Sequence, residues 1–436
     1  MIRRAEQFLF YLLIFSIPFQ ARKILWQQSW YFNEWQSISI YATDVLLMIL
    51  FVFWFFAGKK IKIEKADYFL AVFVLVSAIS IKNSSNFVLS SYNLLKLVEF
   101  VFFYFYLKNY AVKKFGFSRS LAVLIAGGLF QSVIAIVQFL NQSDVGLRII
   151  GESIIDSNMT GVASFYNKTG EKIIRAYGST PHPNVLAGYL FLSVFGVYFL
   201  WIYKRVGKIY VFVYALILLA FFFTFARVAV FLLFVNFLIR VILVRFGGFK
   251  KEYWKKKLIP LFLTTFIVVL FFSLFYWPEA VSRIKISPRE EAVQLRIFYN
   301  KESLSSLNWF GVGSGDFVNW LMVRNPNLPR NLYQPTHNLY LLIFSETGIF
   351  GISSFILFIV FLVKDFIIKT KMEKLHHYSF LLIFSSFLFL GLFDHFLWTL
   401  QQGRFMFWMV LALLSLGWLD TTHRKLNSDL ESNKID

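Results

Sequence analysis

The sequence predicts an all-α protein that crosses a membrane many times. Three observations support this fold class: of the 436 residues, 58% are hydrophobic, only 16% are charged, and the mean hydropathy is +0.62. A soluble protein has about 25% charged residues. The apolar residues also occur in long runs, which excludes a chain of two or three soluble domains. The absence of Cys excludes a disulfide scaffold, a thiolate nucleophile and Cys-ligated zinc.

A helix needs about 20 mostly apolar residues to cross a membrane, and this length predicts about twelve membrane-spanning helices. They lie near residues 7–19, 40–57, 66–82, 93–108, 118–140, 183–203, 208–225, 226–244, 258–276, 338–363, 378–396 and 404–420. The first span follows Arg3 and Arg4 as a secretory signal does, but no small-x-small cleavage site follows it, so we expect it to remain uncleaved. Spans seven and eight are separated by a predicted tight turn near 225–227.

The distribution of positive charge predicts the orientation of these spans. Most of the 44 Lys and Arg residues fall at alternate span ends, in short loops, so the positive-inside rule places both termini in the cytoplasm. The net charge of +20 therefore reflects topology, and nucleic acid is not an expected partner. The chain divides into spans one to five (1–140), an outer loop (141–182), spans six to nine (183–276), a long periplasmic loop (277–337), spans ten to twelve (338–420) and a cytoplasmic tail (421–436).

The long loop 277–337 is predicted to be ordered. Residues 287–290 (Ser-Pro-Arg-Glu) form a capping box with Pro288 at the first helical position, which predicts a helix over about 288–307. Gly311, Gly313 and Gly315 then end it in a turn. A phosphate-loop interpretation of this glycine string is disfavoured, because no buried strand precedes it.

Polar residues on the predicted outer side are the candidates for chemistry. They are Arg175, His182, Asn184, Arg227, Arg296, His337 and Asn338. Helix N-termini offer unpaired N–H groups and a positive dipole end, and both His182 and His337 sit at such ends. Arg supplies a planar fork that suits phosphate oxygens. The set predicts an anionic ligand, such as a diphosphate whose lipid tail lies in the bilayer.

His337 is the candidate base within this set. Pro326, Pro329 and Pro335 make the approach to it extended and stiff. A helix N-terminus disfavours imidazolium, which would keep His337 neutral and able to accept a proton.

Each of these residues also has a structural interpretation. Arg227 could extend from its helix end to the membrane interface, and Arg296, on one predicted helix face with Asn300 and Ser303, could be an ordinary charge on an amphipathic helix. His182 could be a turn residue between prolines, and His337 a hydrogen-bonded loop histidine.

Four residues near the last spans leave the same choice open. Glu346 lies within span ten on the face opposite His337, where an ionisable group is either functional or a packing partner for another helix. Asp394, His395 and Arg404 flank the last outer turn and either line the same cavity or satisfy one another. The sequence predicts no metal site and no cofactor, because the outer carboxylates lack ligand spacings such as His-Glu-x-x-His or Asp-x-Asp.

Several stretches, in this order, resemble the bacterial O-antigen ligase/O-antigen polymerase superfamily of lipid-linked oligosaccharide transferases. They are 175–187 (RAYGSTPHPNVLA), 224–227 (TFAR), Arg296, 311–317 (GVGSGDF), 336–341 (THNLYL) and 346–351 (ETGIFG). The likeness covers 175–403, whereas the first 140 residues match only as a run of spans. The sequence departs from the family pattern at Ala226 and Val228, where a Ser and a small residue are more usual.

The resemblance implies a metal-independent, C-type glycosyltransferase architecture with an outward-facing cavity. By position, Arg227 and Arg296 would hold the diphosphate of an undecaprenyl-diphosphate-linked glycan donor, and His337 would be the base or the group that orients the acceptor. We expect further substrate contacts from Arg175, His182, Asn184, Asn338, Glu346 and Arg404.

The leading hypothesis is an O-antigen ligase-like enzyme of the inner membrane. It would move the glycan, with inversion and on the periplasmic side, to a hydroxyl of a lipid A–core acceptor. The main alternative is a polymerase that joins lipid-linked repeat units onto a glycan acceptor, and related members transfer glycans to proteins. A twelve-helix transporter or flippase is disfavoured, because no motif repeats between the two halves. Membrane lipids are the other expected partners.

Overall fold

The computed structural model describes residues 2–167, 169–204, 206–246, 251–284, 291–369 and 374–416. The first half contains α1 (Ile2–Ser16), α2 (Ala42–Phe56), α3 (Lys65–Ser80), α4 (Phe87–Tyr106), α5 (Val112–Phe115), α6 (Phe117–Asn141), α7 (Pro183–Tyr203) and α8 (Ile209–Phe223). The second half contains α9 (Arg227–Phe246), α10 (Lys251–Phe275), α11 (Trp277–Ile284), α12 (Glu291–Ser305), α13 (Phe317–Arg324), α14 (Leu339–Lys369), α15 (Lys374–Gly391), α16 (Phe396–Thr399) and α17 (Gln401–Ser415).

The predicted all-α polytopic fold class is confirmed. Helices α1–α4, α6–α10, α14, α15 and α17 overlap the predicted spans. Among the described residues, six helices are long and apolar enough to cross a membrane: Lys65–Asn83, Phe87–Phe115, Phe117–Asn141, Pro183–Tyr203, Lys256–Phe275 and Leu339–Ile368. Three shorter apolar helices accompany them, Ala42–Phe56, Ile209–Phe223 and Tyr378–Gly391.

In the part of the chain that the structure describes, two small β-hairpins interrupt the helices, and the sequence did not predict them. In the first, β1 (Arg22–Gln27) pairs antiparallel with β2 (Ser37–Tyr41), so span two begins at residue 42 rather than 40. Arg22 forms an ion pair with Glu34 and closes this hairpin. In the second, β3 (Ser164–Tyr166) pairs with β4 (Lys172–Ile174) inside the loop 141–182. Both hairpins are too short to give a clear alternating pattern in a sequence so rich in apolar residues.

The long loop 277–337 is ordered where the structure describes it. The predicted helix appears as α12, which ends two residues before the predicted end at 307, and the capping box 287–290 lies outside the described residues. α11 and α13 were not predicted. Tyr299 of α12 packs with Phe317 and Leu321 of α13 and with Leu342 of α14, forming a small core of its own.

The predicted span 338–363 corresponds to α14, which contains a break at Gly348 that the sequence did not predict. There the backbone has a φ of 71° and a ψ of −168°, so two helical pieces meet at a break. The free backbone groups at this break bind the loop after α12. The Val312 N–H donates to the Ser345 carbonyl at 2.8 Å, and the Ile349 N–H donates to the Asn308 carbonyl at 3.1 Å.

The glycine string 311–315 makes this docking possible. Gly311 has a φ of 73°, and a Cβ atom at this position would overlap the backbone of Glu346. A Cβ atom at Gly348 would overlap the backbone of Trp309 in the same way. Only glycine permits so close an approach of two backbones at positive φ. The string is therefore a packing element between the long loop and α14.

Buried ion pairs join α4 and the segment that follows it to earlier helices. The shortest are Lys96–Asp44 at 2.5 Å, Lys108–Asp67 at 2.6 Å and Lys114–Glu6 at 2.5 Å. Lys108 lies on a π-helical turn, Leu107–Ala111, that continues α4. Each lysine reaches a carboxylate on α1, α2 or α3, so these contacts fix the packing of the first four helices.

Candidate active site

A cavity of about 890 Å³ lies where the loops of the chain converge. It is lined by the first hairpin's loop, the 141–182 loop, the first residues of α7 and α9, α11, α12 and the segment between α15 and α16. Six of the sequence-predicted site residues line it: Arg175, His182, Asn184, Arg227, Arg296 and His337. Arg283, Asp394 and His395 line it too. Residues from distant parts of the chain thus share one space.

Arg175 is held rigidly at the wall of this cavity. Its Nε donates to the Thr224 carbonyl at 2.6 Å, and its guanidinium also donates to the Asn184 side-chain oxygen at 2.6 Å. Burial, together with repulsion from Arg283 and Arg227, lowers the pKa of Arg175 to about 9. Four arginines line the cavity with three carboxylates, those of Glu34, Glu291 and Asp394, so the lining carries net positive charge and favours an anionic occupant.

Arg227 is positioned by a tight turn between α8 and α9, as the sequence predicted. Phe225 in this turn has a φ of 47°, which is uncommon outside glycine. Its ring packs 4.8 Å from the Phe165 ring and 5.6 Å from the Phe272 ring, measured between centroids, and this packing holds the turn. Arg227 then begins α9 at the cavity wall, although Ala226 departs from the family pattern.

Arg296 belongs to a helix that is bonded directly to the segment leading to His337. The Thr336 hydroxyl donates to the Asn300 side-chain oxygen at 3.0 Å, and the Tyr299 hydroxyl donates to the Leu332 carbonyl at 2.6 Å. Since Asn300 lies one turn beyond Arg296, the predicted helix face is the one that meets the cavity and this segment. The separation of Arg296 from His337 is therefore set by hydrogen bonds.

His337 faces a cluster of titratable groups. Its Nδ1 is buried and has no hydrogen-bond partner within the described chain. Its ring centroid lies 5.1 Å from that of His395 and 6.0 Å from that of Tyr299. Burial lowers the pKa of His337, the Asp394 carboxylate raises it, and Arg296 lowers it, with a net decrease. A neutral imidazole at pH 7 follows, which is the form that accepts a proton.

Two predicted site residues act as helix caps. The Asn338 side-chain oxygen accepts from the Tyr340 and Leu341 N–H groups at 3.0 and 3.1 Å, so Asn338, rather than His337, caps α14. The His182 Nδ1 accepts from the Asn184 N–H at 3.1 Å and caps α7. Burial lowers the pKa of His182 to about 3, which keeps it neutral. His182 thus has a structural role at the cavity edge.

Asp394 supplies the negative charge next to His337. Burial would raise the pKa of this carboxyl, but His395, His337 and His182 together hold it at about 2, so it stays ionised. The Asn184 amide donates to it at 2.7 Å. From the sequence, Asp394 and His395 could either line this cavity or satisfy one another, and in the structure both lie in the cavity wall.

His337, Asp394 and His395 also meet the geometric requirement for holding a metal ion, with ligand atoms within 4.8 Å of one another. Two imidazoles and one carboxylate form a ligand set that Zn²⁺ accepts. Local spacing patterns predicted no metal site. Such patterns could not reveal this cluster, because its ligands come from segments almost 60 residues apart. A metal ion bound here would occupy an imidazole that otherwise faces the substrate.

Glu346 and Arg404 lie outside this cavity. Both line a second, smaller cleft of about 70 Å³. The Glu346 backbone carbonyl accepts from the Gly313 N–H at 3.1 Å, which joins Glu346 to the glycine string before α13. Arg404 donates to the Trp398 carbonyl at 2.6 Å and to the Asn93 side-chain oxygen at 3.3 Å. Of the three residues that flank the last outer turn, Arg404 is therefore the one that does not share the cavity.

Comparison with known proteins identifies one family. Residues 212–356 match a family described as O-antigen ligase. The matched segment runs from α8 into α14 and contains Arg227, Arg296 and His337. No curated protein matches the chain. The match confirms the superfamily that the sequence motifs resemble.

Proposed function

We propose that this chain, whose residues 212–356 match the O-antigen ligase family, is a ligase. It would transfer a glycan from undecaprenyl diphosphate to a hydroxyl group of lipid A–core. The observation that carries this proposal is the single cavity in which Arg175, Arg227, Arg296 and His337 meet. Arginines suit a diphosphate, and a neutral imidazole suits the activation of a hydroxyl.

The donor diphosphate binds at the arginine-lined part of the cavity. Arg227 and Arg296 contact the phosphate oxygens through their planar guanidinium groups, while Arg175 holds the surrounding backbone. Phe225, Leu390 and Phe393 supply apolar surface to the same cavity, and the Phe393 side chain is 39% exposed. The polyprenyl tail leaves the cavity past these apolar side chains and enters the bilayer.

The reaction is a single displacement at the anomeric carbon. His337 accepts the proton of the acceptor hydroxyl as its oxygen forms a bond to that carbon. The bond between the carbon and the diphosphate oxygen breaks, and its electron pair stays on the departing polyprenyl diphosphate. Configuration inverts because attack and departure occur on opposite faces. The Asp394 carboxylate stabilises the imidazolium, and the arginines stabilise the leaving group without a metal ion.

The membrane orientation follows from the positive-inside rule. It places both termini in the cytoplasm and this cavity on the periplasmic side of the inner membrane.

Transfer by purified protein tests the proposal. The protein in proteoliposomes receives undecaprenyl-diphosphate-linked glycan and lipid A–core, and the product is followed on gels. We expect wild type to transfer the glycan and His337→Ala to lose on the order of 10²-fold or more in rate. Arg148→Ala is the control, since Arg148 is exposed and lies outside the cavity. Wild-type turnover by His337→Ala would contradict the assignment of the base.

A deletion strain separates the ligase from the polymerase of the same superfamily. Bare lipid A–core together with accumulated lipid-linked polymer is the expected phenotype of a missing ligase. Lipopolysaccharide that carries a single repeat unit would instead identify a polymerase, with the same residues acting on a glycan acceptor.

A further inference from the structure

The second cleft, which we call the Ser39 cleft, lies between β2, α4, the Gly315 turn and the α16–α17 segment. Its lining includes Ser39, Tyr92, Trp398 and Gln401. It borders the main cavity, because Glu34 and Trp35 line both spaces. The two spaces are thus neighbours.

The border between them lies next to the candidate base. The Trp35 ring centroid is 5.0 Å from that of His395, and the His395 ring is 5.1 Å from that of His337. The His395 Nδ1 hydrogen-bonds at 2.8 Å to the hydroxyl of Thr399, a residue that lines the cleft. A molecule in the Ser39 cleft would therefore reach His337 from the side of Trp35 and His395.

Two buried polar atoms of the cleft have no partner in the described part of the chain. They are the Ser39 Oγ and the Gln401 Oε1, on side chains of residues that are 5% and 2% exposed. Buried polar atoms without hydrogen bonds are rare in folded proteins, so each such group indicates a missing partner. Both atoms belong to residues of one lining, which points to a bound molecule rich in hydroxyl groups.

The charges in the cleft do not favour an anion. Lys96 is paired with Asp44 at 2.5 Å and with Glu99 at 3.0 Å. Arg404 already donates to Trp398 and Asn93. The four arginines Arg175, Arg227, Arg283 and Arg296 line the main cavity and not the cleft. The main cavity thus suits an anionic donor, whereas the Ser39 cleft suits a neutral molecule.

The shape and the aromatic lining fit a sugar. The rings of Trp35, Tyr41, Tyr92 and Trp398 offer apolar faces beside amide and hydroxyl groups, and such amphipathic side chains suit ligands that are polar on one side and apolar on another. The innermost 70 Å³ corresponds to about five water molecules. This space admits the edge of one sugar residue, while the remainder of an oligosaccharide lies across the mouth.

We propose that the Ser39 cleft binds one sugar residue of the acceptor and delivers its hydroxyl to His337. The proposal rests on the proposed transferase function and adds the acceptor's binding place. It separates the substrates as an inverting displacement requires: the leaving diphosphate at the arginines and the attacking hydroxyl on the side of Trp35 and His395.

Ser39→Leu is the test variant, because it fills the cleft and removes only a hydroxyl that has no partner there. Ser29→Leu is the matched control, in the loop of the same hairpin but outside the cleft. The probes are a water-soluble core oligosaccharide, released from lipopolysaccharide by mild acid, and inorganic diphosphate. Tryptophan fluorescence of the purified full chain reports binding, since Trp35 and Trp398 line the cleft.

We expect Ser39→Leu to weaken oligosaccharide binding by at least tenfold and to leave diphosphate binding unchanged. In the transfer assay it should raise the KM for the acceptor and leave the KM for the donor unchanged. Ser29→Leu should match wild type in every measurement. Unchanged oligosaccharide affinity in Ser39→Leu, an equal loss in Ser29→Leu, or no oligosaccharide binding by wild type would each overturn the proposal.

The two proposals fail in different ways. If wild type binds the oligosaccharide in a Ser39-dependent manner but transfers no glycan, the cleft stands as a sugar site and the ligase function falls. If wild type transfers glycan and Ser39→Leu has the wild-type acceptor KM, the function stands and the cleft assignment falls.

Discussion

The Asn184 amide donates a 2.7 Å hydrogen bond to the Asp394 carboxylate, across 210 positions of the chain. The Asn184 side-chain oxygen accepts from Arg175, and Arg175 in turn binds the carbonyl of Thr224. One hydrogen-bonded line thus runs from the turn before Arg227 to the carboxylate beside His337. The phosphate-binding and proton-accepting parts of the cavity are held in one frame.

Asp394→Asn should change the pH dependence of transfer. Activity requires neutral His337, so the rate falls as pH drops through the pKa of this imidazole. The Asp394 carboxylate raises that pKa, so its removal lowers the pKa and moves the acid limb to lower pH. The maximal rate should fall on the order of tenfold or more, because the imidazolium loses its counter-charge. The profile of kcat/KM against pH measures both effects.

Arg296→Gln should shift the acid limb of the pH profile in the opposite direction. Arg296 lowers the pKa of His337, so its removal should move the acid limb to higher pH. Shifts of both variants in the same direction would contradict the assignment of His337 as the group that titrates.

Arg227 should bind two phosphate oxygens through its planar guanidinium group and not only supply a positive charge. Arg227→Ala should lose on the order of 10²-fold in kcat/KM, and Arg227→Lys should recover only part of that loss, because an ammonium cannot bind two phosphate oxygens in a plane. Transfer rates with varied donor concentration measure this. The control is Arg148→Ala. Full rescue by lysine would show that charge alone suffices at this position.

Gly311→Ala should destabilise the protein more than its backbone conformation alone explains. Gly311 and Gly146 both have positive φ, at 73° and 90°, but a Cβ at Gly146 meets no atom within 4 Å. Gly146→Ala should therefore cost only the strain of its conformation, about 1–2 kcal/mol. At Gly311 the added methyl group would also displace the backbone of Glu346. Thermal unfolding in detergent compares the two variants. Equal losses of stability would show that the backbone around Gly311 accommodates the methyl group without a further loss of stability.

Zinc should inhibit transfer by occupying the cluster of His337, Asp394 and His395. Micromolar Zn²⁺ should lower the rate reversibly, and EDTA should restore it, because coordination takes the imidazole that accepts the proton. His395→Ala should bind Zn²⁺ more weakly and need a higher concentration for the same inhibition. A loss of wild-type activity in EDTA alone would instead identify a required metal ion.

Hydrophobic length is a local property, so the sequence predicted the all-α polytopic fold class and the six helices that are long and apolar enough to cross a membrane. The turn at 225–227 and the start of α7 at Pro183 followed from the same kind of local signal. The break in α14 could not be predicted, because it is stabilised by hydrogen bonds to Asn308 and Val312, which lie in another segment of the chain.

The candidate site was predictable where a residue lacked a local explanation. Arg227, Arg296 and His337 stood out as polar residues on the predicted outer side, and the structure brings them to one cavity. Glu346 stood out as an ionisable residue within a span, but it lines the smaller cleft, and its backbone carbonyl binds the Gly313 N–H, which no spacing rule reveals. The hydrogen bond between Asn184 and Asp394 could not be predicted from the sequence either, because it depends on how α7 and α15 pack.

One lysine counted toward the cytoplasmic charge of the chain is an interior residue. Lys108 is 4% exposed and paired with Asp67. Removing one member of a buried pair costs about 3–5 kcal/mol. Charge-reversal mapping of the topology at Lys108 would thus unfold the first helices before it reoriented them. Reporter insertions near the exposed Lys59 and Lys60 avoid this confusion.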